Sequence, residues 1–148
     1  MTGKLLQIAA AAAGTLGFAV LFNTRGKKLL AATAGGLLSW TAFLLLNAVI
    51  PSEPVCYLIV AFLLTFYAEG MARILKTPST TFTITTLVPL IPGGSLYYTM
   101  EYAFEKNAAL FRTQAVHTLL LAAALAAGVI LASALVRTVH RLRKSVGR

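Results

Sequence analysis

Apolar residues run almost unbroken over Leu5–Phe22, Leu29–Ile50, Val55–Ala72 and Ala115–Val136. At about 1.5 Å of rise per residue, each run is long enough, or nearly so, to cross the hydrocarbon core of a bilayer as a helix. A fifth run, Thr80–Phe104, has the length but a different texture: threonines, Pro89, Pro92, the pair Gly93-Gly94 and Glu101 interrupt it. Proline lacks an N–H and glycine is conformationally loose, so this run is expected to be a broken helix. Short polar stretches at 23–28, 51–54, 73–79 and 105–114 separate the runs. The pattern predicts an all-α integral membrane protein, a single transmembrane domain over 1–148 with spans at about 5–22, 29–50, 55–72, 80–104 and 115–136.

Composition agrees with a bilayer solvent. Of 148 residues 58% are hydrophobic, mean hydropathy is +0.81, and 13 basic residues stand against 4 acidic ones. An ordinary soluble domain carries about a quarter charged residues. The net charge of +9 falls in short clusters between apolar runs and not along one basic, aromatic-studded face, so lipid headgroups and not nucleic acid are the expected counterions. Threading five spans puts Arg25, Lys27, Lys28, Arg73, Lys76, Arg137, Arg141, Arg143, Lys144 and Arg148 on one side and Lys4, Lys106 and Arg112 on the other. Basic loops stay cytoplasmic, which predicts an external N-terminus, a cytoplasmic C-terminus and an inner-membrane, multi-pass location. The stronger positive flank follows the first run, as in a retained span and unlike a cleaved leader.

Small residues recur four apart at Ala10/Gly14, Ala13/Gly17, Ala31/Gly35, Ala32/Gly36 and Ala124/Gly128/Ala132. Such stripes let helix backbones approach closely in lipid, within the bundle or against a partner. Cys56 is a lone small filler, His117 and His140 read as isolated, and no metal-ligand spacing or nucleophile–base motif suggests a cofactor or an enzyme.

The break at Pro89–Gly94 is the main candidate for chemistry. Non-helical backbone within a membrane survives only where protein or a water-lined cavity satisfies it. A half-helix starting at Gly93-Gly94, with Ser95 able to cap it, offers free N–H groups and a positive dipole end to a carboxylate. Pro89 and Pro92 make the break. Tyr98, Glu101, Tyr102 and Glu105 then follow at helical spacing as one polar face, and Tyr98 and Glu101 are expected to line the site. Glu101 either lines this pathway or snorkels to the interface; Glu101 and Glu69 are the candidates for ion coupling. The simpler reading of Glu69 is an i to i+4 pair with Arg73. Ser39 and Asn47 are polar groups able to bond across helices.

The stretches GFAVLFNTRGKKLL (17–30), AEGMARILKTPSTTF (68–82) and VPLIPGGSLYYTM (88–100) together resemble the threonine/serine exporter (ThrE) family, and within it the small, YjjB-type subunit that corresponds to the C-terminal half of the longer single-chain exporters. The resemblance covers nearly the whole chain, its most specific part being the ordered series Ala72-Arg73, Pro78, Pro89, Pro92-Gly93 and Tyr97. It implies secondary export of small carboxylate-bearing metabolites, threonine- or serine-like amino acids or a dicarboxylate such as succinate, driven by an ion gradient. It also implies a larger partner subunit similar to the exporter's N-terminal half. Asn23 lacks the proline expected soon after it, and Gly94 doubles the glycine after Pro92. The alternative reading is a non-transporting subunit that stabilises a partner holding the site; homo-oligomers are compatible with either.

Overall fold

A computed structural model describes residues 2–146; Arg148 lies outside the described residues, as do the side chains of His140, Arg143 and Lys144. The described chain is helical throughout its elements: α1 (Thr2–Leu21), α2 (Lys27–Asn47), α3 (Glu53–Ile74), α4 (Ser79–Leu87), a 3₁₀ turn (Val88–Leu90), α5 (Gly93–Phe104) and α6 (Ala108–Val146). α1, α2, α3 and the Ala108–Val139 part of α6 are long and apolar enough to cross a membrane. Their outer faces carry exposed leucine, valine and isoleucine, among them Leu30, Leu45, Leu119 and Ile130, as a lipid-facing surface requires.

Side-chain contacts give the directions. Ala19 clusters with Ala32, and Thr15 lies against Gly36, so α1 and α2 are antiparallel. Phe43 meets Tyr57 edge-on at 5.2 Å while the Tyr67 hydroxyl donates to Ala31 O at 2.8 Å, so α2 and α3 are antiparallel too. Glu53 reaches His117, and the Leu58–Phe62 turn flanks Gly128, so α3 and α6 advance in the same direction.

α4 is the wedge of the bundle, packed between α2 and α3. Phe82 is fully buried with Ala19, Ala32, Ala68 and Ala72, and eight residues on Leu90 is buried with Phe43, Cys56 and Tyr57. Its threonines suit this position. Thr85 and Thr86 are fully buried, yet each hydroxyl donates to a carbonyl one turn back, Thr81 O and Phe82 O, both at 2.8 Å. Polar groups are thereby satisfied within the helix, and only methyl-sized surface is presented outward. Thr86 packs directly on Gly35, where a side chain would collide.

Helix ends explain the tight loops. Asn23, Lys76 and Lys106 have φ of 55°, 48° and 56°, each just past a helix. The next amides, Thr24, Thr77 and Asn107, reach back to Ala19 O, Ala72 O and Tyr102 O at 2.9 to 3.1 Å. These left-handed closures satisfy the last carbonyls, a task glycine usually performs. α6 begins well before Ala115 because the Asn107 side chain accepts from the Leu110 amide at 3.2 Å and caps the first turn.

The small-residue stripes divide into two groups. A methyl group on Gly128 would stand 2.5 Å from Leu58 O and 3.0 Å from the Phe62 amide, and one on Gly35 or Gly36 would strike Thr86 or Thr15, whereas Gly14 and Gly17 face open space. Gly128→Ala is therefore expected to cost about 1–3 kcal/mol, since the obstructing atoms are backbone. Gly14→Ala should stabilise the isolated chain by up to about 1 kcal/mol through its gain in helix propensity. Thermal unfolding in detergent checks both, and equal shifts for the two variants would contradict this packing.

Candidate functional site

Pro89 and Pro92 do interrupt the chain's helical course. The 3₁₀ turn closes with Ile91 N donating to Val88 O at 3.1 Å, Gly93 N turns back to Ile91 O at 2.6 Å, and regular α5 bonding starts with Leu96 N to Pro92 O at 2.9 Å. The amides of Gly94 and Ser95 are left at the open start of α5, where a helix has no acceptors of its own.

The location of this start differs from the mid-membrane position that the broken fifth run suggests. α4 and the 3₁₀ turn already carry the chain from the level of Ala72 to that of Cys56. Ser95 then stands level with Glu53, in the first turn of α3. α5 continues past the end of the bundle, with no buried residue, paired with the beginning of α6. Ser95 is not the cap of α5; Pro92 occupies that position without a side-chain bond.

Ser95 instead is the hub of a polar cluster between helices. Its Oγ receives Gln114 Nε2 at 2.9 Å and Thr118 Oγ1 at 3.1 Å, and lies 3.3 Å from His117 Nδ1. One turn on, Thr99 Oγ1 and Thr118 Oγ1 are 3.0 Å apart. The other imidazole nitrogen, Nε2, is 3.3 Å from a Glu53 carboxylate oxygen. Three elements, α3, α5 and α6, thus converge on one imidazole. His117, read as isolated in the sequence, links α6 to both α3 and α5.

This cluster forms one wall of a cavity of about 500 Å³, completed by Pro89, Pro92, Gly93, Gly94 and Tyr98 on the break and by Trp40 and Tyr57 on α2 and α3. The Trp40 Nε1 atom is buried and has no hydrogen-bond partner. Indole N–H is only a donor, so the atom calls for an acceptor. Another cleft of similar volume runs along α6 by Arg137 and Arg141, but all its residues belong to that single helix.

Of the residues singled out from the sequence, Pro89, Pro92, Gly93, Gly94, Ser95 and Tyr98 come together here. Glu101 and Glu69 do not line the cavity. Nor does Glu69 pair with Arg73: no contact within ion-pair distance joins them. Gly93 and Gly94 are outside the positive-φ region, and a Cβ on either meets open space, so their backbone freedom is not what the fold uses. Glu53, Trp40, Gln114, His117 and Thr118 were not assigned to the site from sequence; the turn spacing of Gln114, His117 and Thr118 on one face was the available signal.

Removing the hub is expected to matter more than removing the predicted carboxylate. Ser95→Ala strips one shared partner from Gln114, Thr118 and His117 and should cost about 1–3 kcal/mol, whereas Glu69→Gln should stay within about 0.5 kcal/mol. Thermal unfolding of the two variants side by side decides this, and a larger loss for Glu69→Gln would contradict the geometry. Neither curated proteins nor solved structures give a match to this chain. The family described as Threonine/Serine exporter, ThrE, matches residues 7–135. With that match spanning most of a chain of apolar helices, the protein belongs to the threonine/serine exporter family and is a membrane protein of transporter type.

Proposed function

We propose that this chain is the small subunit of a two-part secondary transporter that exports small carboxylate-bearing metabolites, and that the cavity at the start of α5 holds the carboxylate. One observation carries the reading: residues with unpartnered donors line one cavity of mixed polar and apolar character. Trp40, whose indole N–H is buried with nothing to bond, lines the same cavity as Gly94 and Ser95 at the open start of α5. A carboxylate supplies the acceptors these donors lack and meets the positive end of α5. Family membership supports an amino acid such as threonine or serine as the substrate.

In this reading the chain crosses an inner membrane five times, with α4 and the 3₁₀ turn making the fourth passage inside a sheath of α1, α2 and α3. The distribution of basic residues supports a cavity on the external side. A larger subunit completes the pathway, and the open Gly14 and Gly17 face of α1 is suited to close approach by its helices. Gly93 and Gly94 keep side chains out of the mouth, and Tyr98 flanks it.

Two measurements test the reading. A reporter fused after Arg148 should read cytoplasmic and one at Met1 external; both on one side would exclude five passages. Trp40→Phe leaves no polar group orphaned, so stability should change by less than about 1 kcal/mol. Loss of a hydrogen bond to a charged group should still weaken L-threonine or succinate binding roughly ten- to a hundredfold. Counterflow in proteoliposomes containing both subunits reads this out, and unchanged transport by Trp40→Phe removes the cavity from the pathway.

A further inference from the structure

We propose that the Glu53–His117 pair selects the second charged group of the substrate, accepting an ammonium when the imidazole is neutral and a second carboxylate when it is charged. This rests on the cavity being the substrate site, and adds what the pair does there.

The hydrogen-bond arrangement defines both states. Gln114 Nε2 donates to Ser95 Oγ, and Thr118 Oγ1 lies in donor position to the same atom, so the single Ser95 proton is free to point at His117 Nδ1. Nδ1 is then an acceptor, which places the hydrogen of the neutral ring on Nε2, facing Glu53 at 3.3 Å. When a proton from solvent adds at Nδ1, the Thr118 hydroxyl keeps its hydrogen on Gln114 O at 2.9 Å, Ser95 turns its own hydrogen away and accepts from Nδ1–H, and the Glu53 contact becomes a full ion pair. Both partners can exchange with solvent, since their side chains are 39% and 40% exposed.

Charge at the wall changes accordingly. With a neutral imidazole, Glu53 is an uncompensated carboxylate beside the donors of α5: one pole for an ammonium and one for a carboxylate, as an α-amino acid demands. With a charged imidazole, Glu53 is neutralised and the same cavity no longer repels a second carboxylate. No other formal charge lines the cavity. Its remaining ionisable groups are the phenols of Tyr57 on α3 and Tyr98 on α5; α2 and the 3₁₀ turn contribute Trp40 and Pro89, and α6 itself adds Gln114 and Leu121. Imidazole is the side chain whose charge changes between about pH 5 and 8.

The two substrate classes must then respond to pH in opposite directions. A dicarboxylate complex holds more protons than the free protein, so its affinity rises as pH falls; an amino-acid complex holds fewer, so its affinity falls. Each slope is at most about tenfold per pH unit for a single linked proton. The experiment uses the full chain with its larger subunit in nanodiscs, titrated calorimetrically with L-threonine and with succinate from about pH 6.5 to 8 in buffers of different ionisation heat. Proton release with threonine and proton uptake with succinate are expected. His117→Gln should flatten both profiles while keeping the preference for threonine. Glu53→Gln should weaken threonine and strengthen succinate at the alkaline end by about tenfold, and carries the test if the histidine variant does not fold. Slopes of the same sign for both probes, or opposed slopes persisting in His117→Gln, overturn the proposal while leaving the cavity in place. Failure of both probes to bind at any pH overturns the cavity assignment and this proposal together.

Discussion

The seating of α4 against Gly35 of α2 is the contact on which the remainder of the structure depends. A nine-residue helix rich in threonine cannot hold itself in lipid. It is held because α2 has no side chain at the crossing, because Phe82 fills the space among four alanines, and because every buried hydroxyl on it returns its hydrogen to its own backbone. With α4 in place, Leu90 is anchored between Phe43 and Tyr57, and the two prolines can release the chain only at the level of Glu53. The position of the break, and with it the composition of the cavity, follows from how deep the wedge is driven.

The long helices were legible in the sequence because an apolar run of membrane length has few alternatives. The break was legible because proline and glycine act locally, on their own backbone. What joins the break to the rest was not. Ser95 meets residues 19 to 23 positions away, and Glu53 meets His117 from another helix altogether. Helical spacing shows that Tyr98, Glu101 and Glu105 share a face, but not that the neighbour of α5 lies against Ser95 and Thr99 instead. Gln114 read as loop because charged and polar residues surround it, whereas Asn107 starts the helix earlier. Glu69 and Arg73 have pairing separation, but both side chains retain other directions, and spacing alone does not bring them together.

The Glu53–His117–Ser95 cluster shows how polar groups persist in such a chain. Each member shares a hydrogen with a partner on another helix, so none is left bare, yet half-exposed side chains keep the cluster in contact with water. The Trp40 indole stands apart from this economy. The half-buried ring packs on Phe43 at a centroid separation of 5.1 Å, with its buried N–H unmatched. Thr24 Oγ1, beyond the end of α1, is the other unmatched buried polar atom among the described residues, and of the two only Trp40 belongs to a residue that lines the cavity.

α6 is 39 residues long, about 58 Å, and packs closely on α3 where Gly128 admits the Leu58 carbonyl. Gln114 stands fourteen residues before that point and Arg141 thirteen after it, about 20 Å on either side. The packing of α6 on α3 lies between these two positions and reaches the cavity end through the His117–Glu53 contact. One continuous helix therefore carries both the polar wall of the cavity and the arginines of the basic end, so the two stand at a separation set by helical rise alone and not by any loop.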